Sequence, residues 1–169
     1  MKIELNHCYN MDCIEGMRLM EQQGIKADCL LTDLPYGEVN RESNGLRNLD
    51  KAQADSATFA LNTYLRQAVR VVNGNFLIFC GTEQVSDIRK FFVTKGMTTR
   101  LLIWEKTNPS PMNGKTVYLS GIECCVYAKS RGGVFNGFCK NTVFRYPCGV
   151  NEICLLYTSD AADDLTRVD

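Results

Sequence analysis

The chain has 169 residues and a mass of 19.0 kDa, which is the size of one ordinary domain. Apolar residues make up 45% and charged residues 22%, a balance typical of globular proteins and not of disordered ones. The 19 basic and 19 acidic residues cancel, which by itself argues against a strongly basic nucleic-acid binder. No apolar run is long enough to span a membrane, and the N-terminus lacks the apolar core of a signal peptide. We therefore expect a cytoplasmic protein without a membrane partner.

The nine cysteines indicate a reducing compartment and no metal site. None of them forms a Cys-x-x-Cys pair, and the sequence contains one histidine. Most lie within apolar runs, so we expect reduced and mostly buried thiols.

The first elements in chain order are an extended lead-in and a helix. Residues 3–9 are typical of a short strand or an extended segment. Asp12 precedes Glu15 by three residues, which predicts a capped helix start. Gly24 ends this helix, whose apolar residues follow at helical spacing: Ile14, Met17 and Met20.

A buried strand and a long amphipathic helix are predicted next. Residues 29–31 form a continuous apolar run, which Pro35 and Gly37 end. Residues 38–55 are polar and predict a loop. One apolar face then indicates a helix: Leu61, Tyr64, Leu65, Ala68, Val69 and Val72.

The remaining elements alternate between strands and helices. Residues 73–75 (Asn-Gly-Asn) predict a turn, and residues 76–80 predict a buried strand. A helix closed by Gly96 follows, with Val85, Ile88, Phe91 and Phe92 as its apolar residues. Two further strands are predicted at residues 101–104 and 122–128, separated by a loop over residues 106–120.

This alternation predicts an α/β fold with a doubly wound, mainly parallel sheet. Ligands of such sheets bind beyond the carboxyl ends of the strands. The segments to inspect are therefore residues 33–37, 81–83 and 105–108.

The string Thr-Asp-Leu-Pro-Tyr-Gly at residues 32–37 combines groups that suit a planar amino-heterocycle. Asp33 can accept a hydrogen bond, Pro35 fixes the backbone and lacks an N–H, and Tyr36 offers a flat face. Alone, Asp33 could be a turn residue or cap, and Tyr36 a packed aromatic.

The chemistry of such a heterocycle explains this combination. The amino lone pair of adenine or cytosine is delocalised into the ring, so the nitrogen is a poor nucleophile. A carboxylate and a backbone carbonyl that accept both N–H bonds favour a tetrahedral nitrogen, which can attack a methyl group in line. A base in a duplex must first be flipped out and stacked on an aromatic side chain.

The string resembles the Asp/Asn/Ser-Pro-Pro-Tyr/Phe motif of the amino-methylating DNA methyltransferases. The resemblance covers most of residues 1–150, has the β-type motif order, and is nearest to small phage and prophage enzymes. It implies an S-adenosylmethionine (SAM)-dependent methyltransferase fold, with double-stranded DNA as partner and SAM as cofactor. It also implies catalytic roles for Asp33, Pro35 and Tyr36, and restriction-modification or phage biology.

Further site residues follow from the resemblance, each with a simpler alternative. Asp12 and Cys13 lie where some members contact SAM, together with Asp33; capping and core packing explain them equally well. Leu34 replaces the first proline of the motif, as in the family's Asp-Leu-Pro-Tyr-Gly members. The acid at position 33 favours adenine N6 over cytosine N4.

The loop after Trp104 supplies candidate DNA contacts. These are Lys106, Asn108, Lys115 and Tyr118, which could approach a phosphate or a base edge. A solvated loop rich in proline and glycine is the alternative.

The family's His-Pro-x-x-Lys-Pro and Asp-Pro-Phe-x-Gly-x-Gly segments are absent from the sequence. Residues 151–169 have no family resemblance and carry one basic and five acidic residues, whereas residues 1–150 carry 18 basic and 14 acidic. We expect residues 1–150 to be a partial catalytic domain, incomplete at the C-terminus, and residues 151–169 to be a non-native tail. The chain alone is then expected to be an inactive fragment.

Two other functions stay open. One is a non-catalytic nucleic-acid-binding protein that keeps the fold. The other is a methyltransferase acting on RNA or a protein amide, whose members usually carry Asn where this chain has Asp33.

Overall fold

The computed structural model describes residues 1–35, 60–111 and 114–149. Helices and strands alternate as far as β3, and two further strands follow: α1 (Cys13–Gln22), β1 (Ala27–Asp33), α2 (Leu61–Val71), β2 (Val72–Cys80), α3 (Val85–Thr94), β3 (Thr98–Lys106), β4 (Ile122–Lys129) and β5 (Val143–Tyr146). Within the described ranges, every helix is too short or too polar to cross a bilayer.

The strands form one sheet in the order β1-β2-β4-β3-β5. β1 pairs with β2 in parallel and β3 with β5 in parallel, whereas β4 is antiparallel to both of its neighbours. Four of the five described strands therefore run in the same direction, which confirms the α/β class and the mainly parallel sheet. The C-terminal ends of β1, β2, β3 and β5 and the start of β4 meet at one edge, called the carboxyl edge below.

One face of the sheet is packed under the three helices. Alternate residues of the central strands point into this layer, including Phe76 and Ile78 of β2 and Val126 of β4, and these three side chains are fully buried. Phe92 of α3 meets Phe76 with ring centroids 4.8 Å apart. Burial of one side chain of this size stabilises a fold by about 1.5–3 kcal/mol. The cluster of buried side chains between this face and the helices forms most of the core.

The opposite face of the sheet is covered less completely. Leu31 of β1 points there and is 53% exposed, and Leu77 beside it is half-buried. Residues 130–142 cover part of this face: Phe135 lies 6.2 Å from Tyr127 between ring centroids, and Asn75 donates to the Val134 carbonyl at 2.8 Å.

The predicted boundaries of α1 are confirmed. The Asp12 carboxylate accepts from the Glu15 amide at 3.0 Å, so Asp12 is the N-cap. Gly24 follows the helix with φ of 68°, a left-handed conformation that favours glycine. Residues 3–9 form no strand; this lead-in is held by Gln23, whose Oε1 accepts from the Ile3 amide at 2.9 Å.

The turn predicted at residues 73–75 is wrong. α2 runs directly into β2, and all three residues belong to the strand. The reason is a close approach of backbones: a Cβ at position 74 would lie 1.9 Å from the Asp28 carbonyl oxygen. Gly74 therefore allows close strand packing here, and does not break the strand.

Two other expectations differ from the structure. The short edge strand β5 was not predicted, although Val-Phe-Arg-Tyr is a typical strand composition. Of the eight cysteines in the described ranges, three are buried, so the thiols are not mostly buried. Those three, Cys80, Cys124 and Cys125, lie on the two central strands.

Candidate active site

Asp33 ends β1 at the carboxyl edge. It pairs laterally with Phe79 of β2, and strand alternation turns it away from the helices, because Thr32 before it bonds to Tyr64 of α2. The residue is half-buried, and its Oδ1 atom is inaccessible to solvent. This carboxylate oxygen is therefore shielded from water.

Leu34 fixes the backbone directly after Asp33. Its amide donates to the Phe79 carbonyl at 3.0 Å, which extends the strand pairing past the end of β1. Its side chain is 4% exposed and belongs to the core. A proline here would lack that N–H, so leucine at this position provides a backbone bond as well as apolar packing.

Asp12 and Cys13 lie near the same edge. Burial raises the pKa of the Tyr64 hydroxyl; its bond to Thr32 opposes the rise and the nearby Cys13 sulfur adds to it. Cys13 is therefore close to the end of β1. Its own pKa is raised, first by desolvation of the thiol and then by the Asp12 carboxylate. The Asp12 carboxylate caps α1, so the structure shows the capping role, and contact with SAM stays a prediction.

Tyr36, the predicted stacking residue, lies outside the described residues, as does the predicted loop at residues 38–55. Its role stays a prediction from the sequence.

Two buried thiols on the central strands, those of Cys80 and Cys125, lie close enough to Asp33 for its carboxylate to affect them. Desolvation raises the pKa of Cys80 and of Cys125 to about 12, and the Asp33 carboxylate contributes to both shifts. Desolvation also raises the pKa of Cys124. These thiols are protonated at neutral pH, so they are unsuited to act as nucleophiles.

The candidate DNA contacts divide into two pairs. Lys106 forms an ion pair with Glu123 at 2.5 Å, and its side chain is 13% exposed. Asn108 bridges to residue 148: its Nδ2 donates to the Cys148 carbonyl at 3.0 Å, and its Oδ1 accepts from the Cys148 amide at 2.5 Å. Both side chains hold the ends of the loop to the body of the protein.

The other pair projects from the protein. Lys115 and Tyr118 are exposed, and Tyr118 is accessible over its whole surface. Because β3 ends and β4 begins at the carboxyl edge, the loop that carries them leaves the same edge as Asp33. Contact of these four residues with DNA stays a prediction, and the geometry favours Lys115 and Tyr118.

A SAM site requires a strand followed by a turn that contains glycine, because the protein backbone must approach the methionine moiety of SAM closely. Two of the described glycines that follow strands, Gly81 and Gly133, do not fit. Gly81 follows β2, but a Cβ there would lie 2.2 Å from the Glu83 carboxylate, which occupies the space. A Cβ at Gly133 would lie 3.0 Å from the Gly74 carbonyl oxygen, at the other edge of the sheet.

No cluster of three or more histidine, cysteine or acidic side chains that could hold a metal occurs in the described ranges. A groove of about 730 Å³ lies between α2 and α3, lined by the basic residues Arg66, Arg70, Lys90 and Lys95. It lies in the helix layer, apart from Asp33.

Comparison with solved structures relates this fold to a known architecture. M1.HpyAVI in complex with SAM matches with a TM-score of 0.59 and 25% sequence identity, over 81% of this chain and 62% of that one. A further structure of M1.HpyAVI matches with a TM-score of 0.60 and 25% identity, over 83% and 66%. The fold is that of the SAM-dependent DNA methyltransferases.

The chain spans less than two thirds of the length of these solved relatives. No protein-family model matches it, and no curated protein matches it.

The sequence analysis missed one residue of this site, Gln84. The inspected segment after β2 stopped at residue 83, and Gln84 donates a hydrogen bond to the Pro35 carbonyl. The string Gly-Thr-Glu-Gln directly after a buried strand was the available signal.

Proposed function

We propose that this chain is the catalytic half of a SAM-dependent DNA amino-methyltransferase, with adenine N6 favoured over cytosine N4 as the target. One observation carries the proposal: the Asp33–Pro35 segment is fixed at the carboxyl edge of a fold shared with the SAM complex of M1.HpyAVI. In sheets of this type, that edge is where ligands bind.

Asp33 would act directly on the amino group of the flipped base. Its carboxylate accepts one N–H bond and a neighbouring backbone carbonyl accepts the other, which orients the nitrogen lone pair away from the protein. The nitrogen loses one proton as it gains the methyl group, and Asp33 already accepts that N–H. The half-buried surroundings of the Asp33 carboxylate strengthen the interaction, because water screens it less than at an exposed site.

The other roles are assigned from sequence and position. Tyr36 would stack on the flipped base. Lys115 and Tyr118 would contact double-stranded DNA from the exposed loop, with Lys106 and Asn108 holding the ends of that loop. The excess of four basic residues over residues 1–150 supports a DNA partner.

SAM would supply the methyl group. The SAM complex of M1.HpyAVI supports this cofactor, whereas the family's Asp-Pro-Phe-x-Gly-x-Gly segment is absent from this sequence. We therefore expect that the 169-residue chain does not bind SAM tightly and is inactive alone. The division into a partial domain at residues 1–150 and a non-native tail at residues 151–169 belongs to the same proposal.

The test is transfer of tritiated methyl from SAM to duplex DNA. Sequencing across the locus first establishes the longest reading frame that contains this chain, and that protein is assayed beside the 169-residue chain. We expect transfer by the longer protein only, and a loss of at least about 1,000-fold in Asp33→Ala without a change in thermal unfolding. The methylated base is then identified by mass spectrometry.

Two results would contradict the proposal. One is a longer protein that binds SAM in calorimetry but transfers no methyl to DNA while it methylates RNA or protein. The other is a longer protein that binds DNA but neither SAM nor its demethylated product, which would indicate a non-catalytic binding protein.

A further inference from the structure

We propose that Gln84 is a positioning residue that fixes the backbone of the Asp33–Pro35 segment for methyl transfer. The inference rests on the proposed function, since it concerns the same site. Gln84 stands in the turn between β2 and α3, as the N-cap of α3, and its side chain reaches across to the end of β1.

The side-chain amide of Gln84 connects two backbone groups. Its Nε2 donates to the Pro35 carbonyl at 3.2 Å, and its Oε1 accepts from the Gly81 amide at 2.9 Å. The Gly81 amide can only donate and the Pro35 carbonyl can only accept, so a rotated amide would break both bonds. The orientation of the side chain is therefore determined by its partners.

The Gln84 side chain is held in place by its own turn. The Gln84 amide donates to the Gly81 carbonyl at 3.0 Å, while the Gly81 amide donates to the Gln84 side chain. These reciprocal bonds close the turn. The side chain makes no capping bond to α3, although Gln84 occupies the N-cap position. A half-buried side chain that bonds to the end of β1 and not to its own helix indicates a role at β1.

The hydrogen bond from Gln84 to the Pro35 carbonyl fixes the Asp33–Pro35 segment past the point where its strand pairing ends. Leu34 is fixed by its amide bond to Phe79, but Pro35 has no N–H with which to continue that ladder. Its carbonyl is the group through which the rigid turn after β2 can hold this residue. Two adjacent strand ends, β1 and β2, thereby become one unit with Asp33 on it, and a small backbone shift there would misplace the carboxylate.

Amide hydrogen exchange in the 169-residue chain tests the positioning role, and this measurement does not require methyl transfer. Gln84→Glu keeps an acceptor for the Gly81 amide but replaces the donor to Pro35 with an anionic oxygen. Gln84→Ala removes both bonds. Exchange of the Leu34 and Gly81 amides is measured by NMR relative to the amides of Phe76 and Ile78, which report unfolding of the core.

We expect Leu34 exchange to rise about tenfold over the core amides in both variants, and Gly81 exchange to rise only in Gln84→Ala. Gln22→Glu, the same change at an exposed position of α1, should leave both amides unchanged. Unchanged Leu34 exchange in Gln84→Glu would overturn the proposal, as would equal increases at the core amides, which would show a general loss of stability.

Kinetics of the longer protein supply the second measurement. Gln84→Glu should lower kcat at least tenfold with KM for DNA and SAM within about twofold, whereas Gln22→Glu should match the wild type. A normal kcat in Gln84→Glu would overturn the proposal. A wild type without transfer would contradict the proposed function instead, and the exchange of Leu34 would still decide whether Gln84 holds the segment.

Discussion

Two segments leave the carboxyl edge of the sheet, and they differ in how firmly they are held. The segment at residues 33–35 is half-buried to buried. Its backbone donates a hydrogen bond to the Phe79 carbonyl and accepts one from the Gln84 side chain. The segment at residues 114–120 is exposed at every position. Under the proposed function, this contrast fits two different tasks: a reacting group must be held in one geometry, whereas a loop that contacts a polyanion works through charge and reach.

Two polar residues that precede the exposed segment are themselves held by bonds within the protein. Lys106 is the last residue of β3 and Asn108 follows two residues later, and their side chains bond within the protein, to Glu123 and Cys148. Lys106 also lies 5.5 Å from the centre of the Trp104 ring. A basic residue next to a loop is therefore not by itself available to DNA.

The largest expected effect concerns the leucines of the two segments. Leu34→Ala should lower the free energy of unfolding by about 2–5 kcal/mol, because it leaves a cavity in the core. Leu119→Ala, the matched change in the exposed loop, should cost no more than about 0.5 kcal/mol, because Leu119 is 43% exposed. Urea unfolding of both variants measures the difference, and similar costs would show that the two segments are equally packed.

The next effect is a difference in stability between changes at Lys106, which ends β3, and at Lys115, which lies in the exposed loop. Lys106→Ala should destabilise the fold by about 3 kcal/mol, because it leaves the Glu123 carboxylate, 18% exposed, without its cation. Lys115→Ala should change stability by less than about 0.5 kcal/mol. The double variant Lys106→Met, Glu123→Leu should recover most of the loss. A Lys106→Ala variant as stable as Lys115→Ala would contradict a structural role for Lys106.

The smallest effect concerns DNA binding. Lys115→Ala should reduce the slope of log affinity against log salt by about 0.9, the value for one phosphate contact on duplex DNA. Fluorescence anisotropy with a labelled duplex over a series of salt concentrations measures the slope. Lys95→Ala serves as a charge control, since it removes the same charge from an exposed position at the end of α3, away from the loop. An unchanged slope in Lys115→Ala would remove this residue from the DNA contacts.

Local pattern determined much of this protein. The capping of α1 by Asp12, the glycine stops at Gly24 and Gly96, and the buried strand at residues 76–80 all follow from short-range chemistry, and the structure confirms them. The placement of Asp33 at the end of a strand, and hence at the carboxyl edge of the sheet, also followed from the sequence. The prediction that this strand is buried is wrong: β1 is the outermost described strand on its side of the sheet, and its residues Cys29 and Leu31 are exposed.

Tertiary contacts decided the rest. Asn-Gly-Asn at residues 73–75 is a turn pattern, yet a neighbouring strand passes so close to Gly74 that the segment continues β2. The partners of Lys106, Asn108 and Gln84 lie 17, 40 and 49 residues away in the chain, at Glu123, Cys148 and Pro35. A sequence specifies which groups can donate or accept; the pairing of distant strand ends decides which groups meet, because that depends on how the whole sheet is ordered.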